Sequence, residues 1–82
     1  MTITVYSKPA CTQCDATYRA LDKKGLKYDK VDISLDPAAF DYVISQGAQS
    51  APFVEIQHED GTVTSWAGFN PEGISAVARS LA

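Results

Sequence analysis

The residues Cys11-Thr12-Gln13-Cys14 bring the chain's two cysteines into one tetrapeptide. Two thiols at this spacing can close into a disulfide and open again, which is the chemistry of dithiol–disulfide exchange. The attacking species in that chemistry is a thiolate. A position where a strand ends and a helix begins serves it, because free amide N–H groups and the positive end of the helix dipole stabilise the anion. Cys11, on the loop side, reads as the exposed nucleophile. Cys14, one turn further in, reads as the more buried thiol, which attacks the mixed disulfide and releases the reduced partner. Lys8 adds positive potential upstream, and Thr12 and Gln13 are the other residues expected to support the thiolate. Other uses of the pair are weaker. A bridge between Cys11 and Cys14 closes so short a loop that it stabilises less than the ~3 kcal/mol of a 15-residue loop. Structural thiols without redox work are normally scattered through a core. Structural zinc takes four ligands, and to its two cysteines this chain adds a single histidine, His58, in a distant hairpin. No metal site is expected.

Two further segments carry information. Ala51-Pro52 directly precedes an apolar stretch that reads as a buried strand, where a residue without an N–H is awkward. A cis peptide there exposes the preceding backbone for pairing with an extended partner, and an ordinary trans edge proline is the alternative. Ser65-Trp66-Ala67-Gly68-Phe69-Asn70-Pro71 supplies two aromatic residues. They form either an apolar rim beside the dithiol, where a partner docks, or packing within the core and hairpin. Gly68 would permit close backbone approach. Tyr6, Tyr28 and Phe40 read as core, His58 as solvated, and Glu59-Asp60 as a solvated turn. Pro9 stiffens the loop before Cys11.

The elements that must position these residues are legible from local signals. Thr2 to Tyr6 alternates β-branched and aromatic side chains and reads as a strand. A helix follows from about Thr12 to Lys24, with Lys23 and Lys24 suited to its negative end, Gly25 to the left-handed position and Leu26 folding back on the last turn. Tyr28 to Ile33 is a second strand. Asp36-Pro37 caps and starts a second helix, in which Phe40, Val43 and Ile44 fall at helical spacing before Gly47. Phe53 to Gln57 and Thr62 to Trp66 are strands joined through Asp60-Gly61, a pair favoured in tight hairpin turns. Asn70-Pro71 starts a last helix with Ile74, Val77, Ala78 and Leu81 on one face. The order β-α-β-α-β-β-α predicts an α/β fold, with the first two strands parallel through a right-handed crossover and the last two antiparallel. Helices on both faces of a mixed four-stranded sheet would cover every apolar face.

Composition bounds the function. With 82 residues, the chain is expected to form a single domain over 1–82 with a radius of gyration of about 12 Å. Ten acidic residues against seven basic ones give a net charge of −3. That balance lacks the basic stripe of a phosphate-binding surface, so nucleic acid and anionic membranes are poor partners. No apolar run approaches a membrane span and the start lacks a signal-peptide pattern, which predicts a cytoplasmic protein.

The residues quoted above resemble the thioredoxin superfamily, and more closely its glutaredoxin-like NrdH-redoxins, over essentially the whole chain. The motifs that carry the resemblance are Cys11-Thr12-Gln13-Cys14, the Ala51-Pro52 turn and Trp66-Ala67-Gly68-Phe69-Asn70-Pro71. The last resembles the family's W-S-G-F-x-P signature, with Ala67 in place of Ser. Ala51 stands where a bulkier apolar residue is common. The resemblance implies a thioredoxin fold, with Cys11 as nucleophile, Cys14 as resolving thiol and Pro52 as a cis-proline. It also implies partner binding through Ala51, Pro52, Trp66, Ala67, Gly68, Phe69 and Pro71. The implied function is a monomeric dithiol electron carrier that holds no prosthetic group, its redox-active Cys11–Cys14 disulfide being the carrier. It passes electrons to the large subunit of class Ib ribonucleotide reductase. Thioredoxin reductase recharges it, so NADPH is used indirectly and glutathione is not used. Alternatives are a glutathione-dependent glutaredoxin, a general thiol–disulfide oxidoreductase, or an iron–sulfur dimer bridged through Cys11. Glutaredoxins commonly carry C-P-Y-C and a Gly-Gly-x-Asp segment that grips glutathione, whereas this chain has Gly68-Phe69-Asn70-Pro71-Glu72 there.

Overall fold

The computed structural model describes residues 1–81. Seven elements follow one another: β1 (Thr2–Ser7), α1 (Thr12–Lys23), β2 (Asp29–Asp32), α2 (Pro37–Ser45), β3 (Phe53–Gln57), β4 (Val63–Ala67) and α3 (Pro71–Ser80). The strands form one sheet in the order β2-β1-β3-β4. β1 runs parallel to β2 and antiparallel to β3, and β3 pairs antiparallel with β4. This is the mixed four-stranded sheet that the β-α-β-α-β-β-α order implied, in the thioredoxin-fold arrangement that the resemblance implied. The radius of gyration is 12.0 Å.

Strand alternation builds a core on each face. Ile3 and Val5 of β1 and Val54 and Ile56 of β3 meet Leu21 of α1 and Ile74 and Val77 of α3. On the other face Phe53 packs with Val43 of α2 and Ala48, with Tyr6 and Ile33 against them. Both central strands therefore carry apolar side chains on two faces, and the sheet cannot shift register without exposing one set.

The helix ends follow their cap residues. Asp36 Oδ1 accepts the Ala39 N–H at 3.1 Å and Asn70 Oδ1 accepts the Gly73 N–H at 2.9 Å, each with proline as the first helical residue. After α1, Gly25 takes a left-handed φ of 70° and the Leu26 N–H bonds back to the Leu21 carbonyl at 3.0 Å. That is the 6→1 closure expected when glycine ends a helix.

Three expectations need correction. Phe40 is not core: it is 47% exposed, and Ile44 is also exposed. α2 instead buries Ala39 and Val43, because its Tyr42 hydroxyl reaches across to Glu55 on β3 and turns the Phe40–Ile44 edge outward. Leu81 is exposed, because it is the C-cap just beyond the end of α3 and not part of its buried Ile74–Val77 face. The hairpin loop is wider than a two-residue turn. The Gly61 N–H bonds to the His58 carbonyl, and only Gly61 has positive φ, so an ordinary turn is closed by a left-handed glycine.

Candidate active site

Cys11 is the N-cap of α1. Its backbone is extended, and its Sγ accepts the N–H of Cys14 at 3.1 Å. The two sulfurs are joined as a disulfide, with Cα atoms 5.2 Å apart. Ala10, just before, is held at φ 55°, a left-handed conformation that costs an alanine roughly 1 kcal/mol. Its effect is to swing the chain from β1 so that Cys11 meets the open N–H groups of the helix.

The sulfurs differ in exposure, but Cys11 is not the open residue the sequence suggested. Cys11 is 9% exposed and Cys14 1%. Cys11 is covered because Ala51 packs against the pair and Tyr18 and Ile33 flank it. Its Sγ lies 3.8 Å from the Ala51 carbonyl oxygen. The Ala51–Pro52 peptide bond is cis. The dithiol and the Ala51–Pro52 segment, 40 residues apart in sequence, thus form one site.

The third segment joins them through two bonds. Gly68, at φ 82°, donates its N–H to the Pro52 carbonyl at 2.8 Å. The Phe69 N–H donates to Gln13 Oε1 at 3.2 Å. A Cβ on Gly68 would stand 3.3 Å from that same Gln13 oxygen, so glycine is suited here by both its φ and its closeness to α1. Gln13 was expected to support the thiolate, yet its side-chain carbonyl is engaged by Phe69. Thr12 and Lys8 are exposed, Thr12 as the first helical residue and Lys8 in the loop.

The two aromatic residues part company. Phe69 is 40% exposed. Trp66 turns inward and packs against the Ile3–Val5–Val54–Ile56 core. Its indole Nε1 is buried and has no hydrogen-bond partner among the described residues. Ala67 ends β4 opposite Phe53, and Pro71 begins α3.

Three residues were not anticipated. Gly73 in the first turn of α3 has no room for a side chain: a Cβ would meet Asn70 Nδ2 at 2.8 Å and Trp66 Cζ3 at 3.0 Å. A glycine costing about 1 kcal/mol inside an amphipathic helix was its signal. Tyr18 lies four residues beyond Cys14, hence on the same helix face, and its hydroxyl donates to buried Ser7 at the end of β1. Lys30 Nζ sits 4.4 Å above the Tyr18 ring. Among the described residues no three His, Cys, Asp or Glu side chains gather as metal ligands, and His58 lies on the hairpin with Nε2 2.8 Å from Thr64 Oγ1.

Comparison with known proteins agrees with this geometry. The glutaredoxin family pattern matches residues 3–60. The glutaredoxin-like protein NrdH of Salmonella typhimurium is 36% identical over 75 residues, 92% of this chain and 86% of that protein. The solved structure of the glutaredoxin-like NrdH-redoxin from Escherichia coli, described as having a thioredoxin-like activity profile, superposes with a TM-score of 0.83. It is 32% identical, and the alignment covers 94% of this chain and 95% of that one. Mitochondrial thioredoxin 3 of Saccharomyces cerevisiae, at 16% identity, shares the fold with a TM-score of 0.68 over 96% of this chain and 76% of that one.

Proposed function

The chain belongs to the glutaredoxin family, among its NrdH-like members, and on that premise we propose that it is a dithiol electron carrier supplying class Ib ribonucleotide reductase. In the reduced protein the Cys11 thiolate attacks a disulfide of the large subunit. One S–S bond breaks as another forms, and one partner sulfur leaves as a thiolate that takes up a proton. Cys14 then gives up its proton and attacks Cys11 Sγ. The second partner thiol departs, and the Cys11–Cys14 disulfide remains. Two electrons have passed to the partner. The same steps in reverse, with thioredoxin reductase drawing on NADPH, restore the dithiol. The carrier works as a monomeric cytoplasmic redoxin, without a bound prosthetic group.

The observation that carries this reading is the Cys11 sulfur at the mouth of α1, bonded by the Cys14 N–H beside Ala51. A helix N-terminus lowers a thiol's pKa and makes it a good nucleophile and leaving group. The choice of reductase rests on the β4–α3 turn. Backbone donors there that a glutathione carboxylate would need are already engaged: Phe69 N–H by Gln13 and Gly73 N–H by Asn70. The Phe69-Asn70-Pro71 stretch replaces a segment whose aspartate would hold a glutathione charge in glutaredoxins. A contact to a charged group is worth about 1.5–3 kcal/mol, or ten- to a hundredfold in affinity. The alternative, a glutathione-dependent glutaredoxin, is favoured by the glutaredoxin pattern across the dithiol and Pro52.

The deciding measurement follows NADPH oxidation in two mixtures, one with thioredoxin reductase and one with glutathione and glutathione reductase, each with the ribonucleotide reductase as acceptor. Turnover is expected in the first. Efficient turnover only in the second would replace the proposal with the glutaredoxin reading.

A further inference from the structure

Gln13 lies between the two cysteines, but its side chain serves a segment 56 residues away. The turn from Ala67 to Asn70 leaves β4 and enters α3 through Gly68, which has no side chain to brace it and sits at a φ of 82°. Two backbone donors tie this turn to the site: Gly68 N–H to Pro52, and Phe69 N–H to Gln13. The first fixes the turn to the Ala51–Pro52 segment. The second fixes it to the helix that carries the dithiol, and it sets where the half-exposed Phe69 ring stands relative to Cys11.

We propose that Gln13 is a positioning residue that selects macromolecular over small disulfide substrates, by holding the Phe69 turn against the N-terminus of α1. This rests on the carrier reading above, since it concerns how that carrier's dithiol meets a protein disulfide. The chemical argument is one of size. A small disulfide needs only to reach the Cys11 sulfur. A protein disulfide arrives on a chain whose flanking residues must lie against the surface around Cys11, where Phe69 is the exposed apolar side chain and Ala51 is buried against the dithiol. Ordering a loop at the moment of docking weakens binding, and holding it ordered beforehand removes that cost. Gln13 does not act on the sulfurs in this account, because its carbonyl is taken by Phe69.

The test uses dithiothreitol as reductant, so that its outcome is independent of which reductase recharges the protein. Two substrates are compared: insulin, whose disulfides sit in a protein chain, and a small aromatic disulfide. Gln13→Met keeps length and helix propensity but removes the acceptor. It should raise KM for insulin about five- to tenfold, the worth of one hydrogen bond. It should leave kcat, the small-disulfide rate and the pH profile of Cys11 alkylation within about twofold. Gln13→Glu keeps an acceptor for Phe69. It should restore the insulin KM while its charge, close to the sulfurs, moves the alkylation profile to higher pH. Equal losses on both substrates, an unchanged insulin KM in Gln13→Met, or a Gln13→Met alkylation profile displaced like that of Gln13→Glu would each overturn the proposal. Thermal unfolding of both variants identifies a variant that fails to fold, and in that case Gln13→Leu, which likewise removes the acceptor, is used and should raise the insulin KM selectively.

Discussion

Cys11 and Cys14 are chemically the same group in two surroundings. Cys11 caps the helix and receives the Cys14 N–H, while Cys14 lies inside the first turn and is almost wholly covered. A thiolate forms where N–H groups and the helix dipole face it, so Cys11 should react first. Under native reducing conditions, mass spectrometry after brief alkylation should find the label on Cys11, and label on Cys14 first would reverse the roles. Cys14→Ser should accumulate a stable mixed disulfide with a protein partner, since nothing remains to attack it. Cys11→Ser should abolish exchange. The cover over Cys11 from Ala51, Tyr18 and Ile33 adds a steric requirement that the four-residue motif does not contain.

α3 shows what a single element owes to its neighbours. Asn70 caps it, Pro71 starts it, and Ile74 and Val77 bury its inner face. Gly73 is disfavoured by helix propensity, but the Trp66 ring passes beneath it and leaves no room for a side chain. Gly73→Ala gains about 1 kcal/mol in propensity but meets that ring and the cap side chain, and overpacking costs about 1–3 kcal/mol. The expected net result in urea denaturation is a loss of up to about 2 kcal/mol, and a stabilised variant would show that Trp66 yields easily. Asn70→Ala should cost about 1 kcal/mol through the lost cap. α2 teaches a complementary lesson. Its apolar spacing fits several faces, and the Tyr42–Glu55 bond chooses the one that leaves Phe40 in solvent.

At the scale of the whole molecule, a polar link between α2 and the sheet reaches into the interior. Glu55 lies on the central strand β3 and is 6% exposed, with Tyr42 and Gln57 donating to it. Tyr42→Phe would leave that carboxylate short of a donor. A cost of about 1–2 kcal/mol in denaturant titration is expected, because Tyr42 is at the surface and water can partly replace it. The same contact governs alkaline stability. Bonding to Glu55, then burial, pushes the Tyr42 hydroxyl up to about 12, and burial, then bonding to Asp22, does the same for Tyr28. In both cases the folded protein keeps a proton that the unfolded chain has lost above its ordinary value near 10. Stability from these groups is therefore complete below pH 10 and lost as pH rises from 10 to about 12. Denaturant midpoints measured across that window should fall, and Tyr42→Phe should fall less steeply. A flat profile would contradict both assignments.

What the amino-acid order determined by itself was the set of features that act within a few residues. Caps at Asp36 and Asn70, the prolines after them, Gly25 as a helix stop, the alternation in β1 and the Cys11–Cys14 spacing all work through neighbouring backbone groups, so they are legible wherever they occur. The order of those elements then left few ways to cover every apolar face, and a mixed four-stranded sheet flanked by helices followed, which the motif resemblance identified as a thioredoxin fold. Only the tertiary structure decided how far Cys11 is covered, which way Trp66 and Phe69 turn, and whether Gln13 serves a sulfur or a distant amide. Those outcomes depend on side chains brought together from up to 56 residues apart. A rotation of one short helix or one turn changes them without changing any local signal, so packing, rather than pattern, sets them.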